Sequence, residues 1–128
     1  MPKKLPDKVH YSHFRDMFKC AGHGIFVCIR EETNMKVHLI IALLVMILAW
    51  WLDFARMEWC MLLLCIGLVL ALEMVNTAIE NIVDFICPQY DPRAGKIKDI
   101  GSGLVLIFAL FVAVIGCMLL IPHLMELR

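Results

Sequence analysis

Three long stretches of apolar sequence constrain this chain more than any other feature. Val37 to Leu52 is broken only by His38, Trp59 to Leu72 holds only apolar or small residues, and Leu104 to Ile121 is uninterrupted. A bilayer's hydrocarbon core is ~30 Å thick and takes ~20 helical residues to cross. Backbone within it must satisfy its own hydrogen bonds, which helices do. With their flanks the runs predict three transmembrane helices, over about 35–53, 58–86 and 101–121. Trp50 and Trp51 close the first as interfacial anchors, and Pro122 is expected just past the end of the third. Hydrophobic residues make up 62% of the 128 and charged residues 19%, against ~45–50% and ~25% in ordinary globular chains. The expected architecture is an all-α integral membrane protein forming a single domain over residues 1–128.

Tyr11 to Arg30 carries a helical period of another kind. Phe14, Met17, Phe18, Ala21, Ile25, Cys28 and Ile29 fall on one stripe, with Arg15, Asp16, Lys19 and His23 off it. This predicts an amphipathic helix over about 11–30, too polar to span, lying in the membrane interface or packed on the bundle. Lys and Arg set the orientation. Ten of them (Lys3, Lys4, Lys8, Arg15, Lys19, Arg30, Lys36, Arg93, Lys96 and Lys98) precede the first span or follow the second, and only Arg56 and Arg128 fall on the other side. The N-terminus is therefore expected in the cytoplasm and the C-terminus outside. Net charge is zero, so no basic field points to nucleic acid. The six cysteines form no CxxC or Cys/His cluster and are read as small hydrophobes rather than disulfides or zinc ligands. Met1 to Pro6 has no apolar core and is not read as a cleaved signal peptide.

The chemistry is concentrated where the second span turns polar. At ~100° per residue, Glu73, Asn76, Glu80 and Asp84 fall within roughly 80° of arc, a column about 16 Å long with Thr77 at its margin. Trp59 to Leu72 covers only about 21 Å of helix, so Glu73 is placed near the cytoplasmic edge of the hydrocarbon and Asp84 beyond it. A carboxylate at that depth can meet a lipid hydroxyl from one side and a water-soluble cosubstrate from the other. Acids within the membrane are costly and mark function. Three on one stripe call for a cation, and Mg²⁺ with oxygen ligands fits. A solvated helix face is the competing account, stronger for Asp84 than for Glu73.

Two polar flanks share that membrane side. In Arg30–His38 the adjacent acids Glu31 and Glu32 either cap the first span or lend a carboxylate to a metal, and the sequence favours capping. After Pro88 and Pro92, the basic residues and Gly101-Ser102-Gly103 are expected to open the third helix, offering free N–H groups and nearby lysine to phosphate. A cation- or proton-conducting subunit is the alternative to an enzyme. It accounts for the column of acids, but no ionisable residue between Leu104 and Ile121 continues it to the other face.

Glu73-Met-Val-Asn76-Thr77-Ala-Ile-Glu80-Asn-Ile-Val-Asp84, followed by Lys98-Asp99-Ile-Gly101-Ser102, resembles the bacterial diacylglycerol kinase/undecaprenol kinase family of small membrane kinases. The likeness extends over nearly the whole chain. It implies a homotrimer with active sites shared between subunits, and transfer of a phosphoryl group from ATP to a membrane lipid alcohol in the bacterial cytoplasmic membrane. Glu73 then corresponds to the general base, and Glu32 and Glu80 to the carboxylates holding Mg²⁺. Asn76, Asp84, Lys98, Asp99 and Gly101 correspond to nucleotide-side positions, and Ser102 to a lipid-side one. Gln89-Tyr90-Asp91 departs from the family's usual Glu-Tyr-His. Glu31 to His38 looks more like the undecaprenol kinase branch, which favours undecaprenol over diacylglycerol.

Overall fold

The computed structural model describes residues 14–128. Residues 11–13, expected to begin the surface helix, lie outside the described residues, as do Lys3, Lys4, Lys8 and the Met1 to Pro6 segment. Four helices follow: α1 (Phe14–Glu31), α2 (Thr33–Trp51), α3 (Arg56–Ile86) and α4 (Pro92–Glu126). The last three are long and apolar enough to cross a membrane. The chain is a membrane protein with one N-terminal amphipathic helix and three transmembrane helices. Many apolar side chains on the flanks of the spans are uncovered by protein, as a lipid surrounding allows.

α3 is the central element, packed by α1, α2 and α4. Its 31 residues run ~46 Å, and the 19 of α2 run ~28 Å. The two start level at the α2–α3 turn, so α3 outruns the beginning of α2. That places the α1–α2 elbow, Glu31 and Glu32, beside the polar half of α3.

The α2–α3 turn is tight. Asp53 takes a left-handed backbone (φ 56°), which aspartate tolerates better than most residues, and Phe54 N–H donates to the Ala49 carbonyl at 3.1 Å. Ala49, Leu52, Phe54 and Leu62 form a buried cluster there, with Trp59, Leu119 and Leu120 around it. Ala55 N–H donates to Glu58 Oε2 at 2.8 Å, capping α3.

Both ends of α4 differ from the sequence reading. The helix opens at Pro92, where Asp91 caps it by accepting from Arg93 N–H at 2.8 Å. The Arg93 guanidinium, and then this backbone bond, hold the Asp91 carboxyl below its usual range. A proline in the first turn loses no bond and Asp is a favoured cap, so the start falls nine residues before Gly101. Gly101-Ser102-Gly103 is thus helix interior and has no free N–H groups for phosphate; that expectation is corrected. At the other end α4 runs through Pro122 to Glu126. His123 Nε2 lies 2.9 Å from Glu58 Oε1, and its ring stacks on Phe54 at 5.0 Å. These contacts hold the turn that proline weakens. Replacing His123 with Ala should accelerate amide exchange over residues 119–126 by roughly 10- to 100-fold, the effect of losing one hydrogen bond to a charged group, and hydrogen-exchange mass spectrometry reads it.

α1 satisfies both placements offered for it. Phe14, Met17, Phe18 and Ile25 are uncovered by protein, whereas Cys28 is buried. Its thiol donates to Thr77 Oγ1 of α3 at 3.7 Å. One end of the stripe is free for the interface and the other packs on the bundle.

Candidate active site

The polar column on α3 is graded in depth, as the sequence spacing requires. Glu73 and Asn76 are 2% and 3% exposed and Thr77 is buried; Glu80 is half-buried and Asp84 exposed. Glu73 lies 17 residues beyond Arg56, ~26 Å along the axis, near the far edge of a ~30 Å hydrocarbon core.

Each neighbouring helix adds to the column. From α2, His38 Nε2 comes to 3.7 Å from Glu73 Oε2. Asn34 of α2 also faces the Glu73 carboxylate, and the Glu32 and Glu80 carboxylates lie near enough to repel it. On α3 itself, Asn76 Nδ2 donates to Glu80 Oε1 at 3.0 Å, one turn apart. From α4, Lys98 forms an ion pair with Asp84. Gly101 is buried against Asn76, and a Cβ at position 101 would overlap the Asn76 carboxamide oxygen. That oxygen is buried without a hydrogen-bond partner.

Glu32 occupies the cap position of α2, yet its side chain makes no capping hydrogen bond. Capping, the use the sequence favoured, is not what its carboxylate does. Glu32 and Glu80 both bring carboxylates near Glu73, oxygen donors of the kind a hard cation takes. Among the described residues no group of three His, Cys, Asp or Glu could hold a metal by itself. Such a pair of carboxylates fits Mg²⁺, which is typically bound by one or two carboxylates together with substrate phosphates.

Glu32, Glu73, Asn76, Glu80, Asp84, Lys98 and Gly101 are therefore brought together. Asp99 and Ser102 are exposed. Asp99 lies about 130° round α4 from the face that Lys98, Gly101 and Val105 present to α3, and Ser102 lies on its flank. Sequence reading did not include His38, Asn34 or the Cys28–Thr77 contact in the site. The one signal for His38 was a polar side chain just inside an apolar run. The contact between α1 and Thr77 had no local signal.

Below the column an apolar cavity of about 350 Å³ opens between α2, α3 and α4. Ile41 and Val45, Leu62 and Val69, and Val112 and Leu120 line it, with His38 as its polar head. Glu73 thus stands next to the polar residue of a hydrocarbon-lined groove, with further acids along α3.

The chain belongs to the prokaryotic diacylglycerol kinase family, which it matches over residues 19–120; it is a lipid kinase. It is 34% identical over 123 residues to the undecaprenol kinase of Bacillus subtilis (strain 168), covering 94% of this chain and 100% of that one. It is 32% identical to the diacylglycerol kinase of Escherichia coli (strain K12), covering 86% and 93% of the two chains. Identity to the diacylglycerol kinase of Helicobacter pylori (strain J99) is 34%, over 88% and 81%.

Proposed function

We propose that this kinase phosphorylates a membrane lipid alcohol with Mg-ATP by direct in-line transfer, undecaprenol being favoured over diacylglycerol. The observation that carries the proposal is Glu73, enclosed by protein and 3.7 Å from His38, the polar residue lining the apolar groove, with Glu80 and Asp84 further along α3 toward water. An acceptor whose chain lies in hydrocarbon presents its hydroxyl at that depth, and the nucleotide approaches past Asp84 and Lys98. The Glu31 to His38 segment favours the polyprenol, and the match to the Bacillus subtilis undecaprenol kinase over that relative's full length supports it.

In this mechanism Glu73 accepts the proton of the lipid hydroxyl as its oxygen attacks the γ-phosphorus, and the bond to the β-phosphate oxygen breaks in line. A primary hydroxyl is a poor nucleophile, so a base in hydrogen-bond reach matters. Glu32 and Glu80 would hold Mg²⁺, which when bound would supply charge neutralisation along the phosphates. Asn76 fixes Glu80 through its 3.0 Å bond. Lys98, drawn to this face by Asp84, contributes positive charge to the phosphates. Positioning and electrostatics are the main terms in phosphoryl transfer.

The excess of Lys and Arg around this end of the bundle supports a cytoplasmic N-terminus and an external C-terminus, so that ATP meets Glu73 from the cytosol. The family resemblance supports a homotrimer, and α4 has an apolar flank at Leu106, Leu110 and Phe111 that the described residues leave uncovered.

The test uses purified protein in mixed micelles with radiolabelled ATP and, in parallel, undecaprenol or diacylglycerol. Labelled undecaprenyl phosphate formed faster is the expected result. Faster labelling of diacylglycerol reverses the lipid assignment. No labelled lipid, with ion flux in liposomes instead, rejects the mechanism.

A further inference from the structure

Glu73 is enclosed among groups of its own sign. Glu80 and Glu32 are its charged neighbours of like charge, and a carboxylate taken out of water needs a donor or counter-charge close by. Nearby lysines do not supply it: Lys98 is engaged by Asp84, and Lys36 is exposed on α2. Asn34 of α2 is a neutral donor facing it, and among the described residues the basic group within 4 Å of Glu73 is His38, its Nε2 at 3.7 Å from Oε2.

The surroundings of His38 are otherwise apolar. Among the described residues it is the one nitrogen-bearing side chain lining the groove, to which α4 contributes small and apolar residues such as Ala109, Val112 and Ala113. Glu73 on α3 is the charged group it meets, and the remaining titratable groups of the groove are the thiols of Cys65 and Cys117. An imidazole carries a ring N–H in either charge state, and Glu73 Oε2 is an acceptor facing Nε2. A separation of 3.7 Å is long for a hydrogen bond, but catalytic contacts commonly shorten only when substrate is bound.

We infer that His38 is a positioning residue for the kinase reaction. Its Nε2–H is directed at Glu73 Oε2, fixing the carboxylate so that its other oxygen is left for the acceptor hydroxyl. The inference rests on Glu73 being the base.

Two substitutions separate this role from packing. His38→Gln keeps an N–H donor, whereas His38→Leu keeps the apolar fit to the groove. In steady-state assays with Mg-ATP and undecaprenol in mixed micelles, His38→Leu should lower kcat roughly 10- to 100-fold, the scale of losing alignment at a reacting group. Its KM for Mg-ATP should stay near the wild-type value, and His38→Gln should retain most of kcat. A His38→Leu enzyme with normal kcat, a His38→Gln enzyme no better than His38→Leu, or a loss confined to the KM for Mg-ATP would each overturn the inference. Should His38→Leu not assemble in the membrane, His38→Ala with and without added imidazole decides. Rescue supports the role and no rescue rejects it. Glu73→Gln assayed alongside keeps the two ideas apart: if it stays active the base assignment has failed, and if it is inactive while His38→Leu is active only the role of His38 has.

Discussion

Glu73→Gln is expected to lower lipid phosphorylation by roughly 10²- to 10⁴-fold, the contribution of a positioned base to a proton-transfer step, while Mg-ATP still binds. The substitution keeps the shape of the side chain and removes only its ability to take a proton. Glu73 is buried, with Glu32 and Glu80 near enough to repel it. Removing its charge therefore relieves a desolvated group rather than opening a cavity, and the fold should not suffer. The nucleotide side, built from Glu32, Glu80, Asn76 and Lys98, keeps all its groups. Turnover from the radiolabel assay and nucleotide affinity from calorimetry should then separate, with kcat collapsing and the Kd for Mg-ATP staying within about threefold, less than one hydrogen bond's worth of free energy. Near-normal turnover would show that Glu73 is not the base.

How much of this was legible in the sequence follows from the range of the interactions involved. The column Glu73, Asn76, Glu80 and Asp84 lies on one helix, so the 100° step places it without knowledge of any neighbour. Its graded burial follows from counting apolar residues up to Leu72. The ends of α4 differ from the sequence expectation because local signals compete. Gly101 costs ~1 kcal/mol in a helix interior relative to Ala, which argues for a boundary there, but Asp91 with Pro92 makes a stronger start. Pro122 argues for a stop, and a contact 65 residues away in the chain, Glu58 with His123, carries the helix past it. Glu32 shows the converse case. It stands at the expected cap position, but its carboxylate does not turn back to the helix. What could not be read at all depends on how helices cross. His38 meets Glu73, and Cys28 meets Thr77, only because α2 and α1 lie against α3 at particular heights.

Gly101 makes the most stringent test of that crossing. An α-carbon without a side chain lets α4 approach α3 until the Asn76 carboxamide fills the space a methyl group would take. Asn76 is held at its other end by the hydrogen bond to Glu80. In Gly101→Ala either α4 moves off α3 or the carboxamide turns and releases Glu80. Overpacking of this kind costs ~1–3 kcal/mol, and the strain falls on a carboxylate assigned to Mg²⁺. The expected result is a rise in the KM for Mg-ATP of roughly 10- to 100-fold, the equivalent of that energy, with α-helix content unchanged by circular dichroism. Gly103, two residues on, has nothing within 4 Å of the position its Cβ would take, so Gly103→Ala should leave the kinetics near wild type. Since the added methyl acts through Asn76, Gly101→Ala should add little to the defect of Asn76→Ala, as expected for two sites that share one contact. A Gly101→Ala enzyme as active as Gly103→Ala would mean that α4 does not press on Asn76, and the link from Gly101 through Asn76 to Glu80 would have to be abandoned.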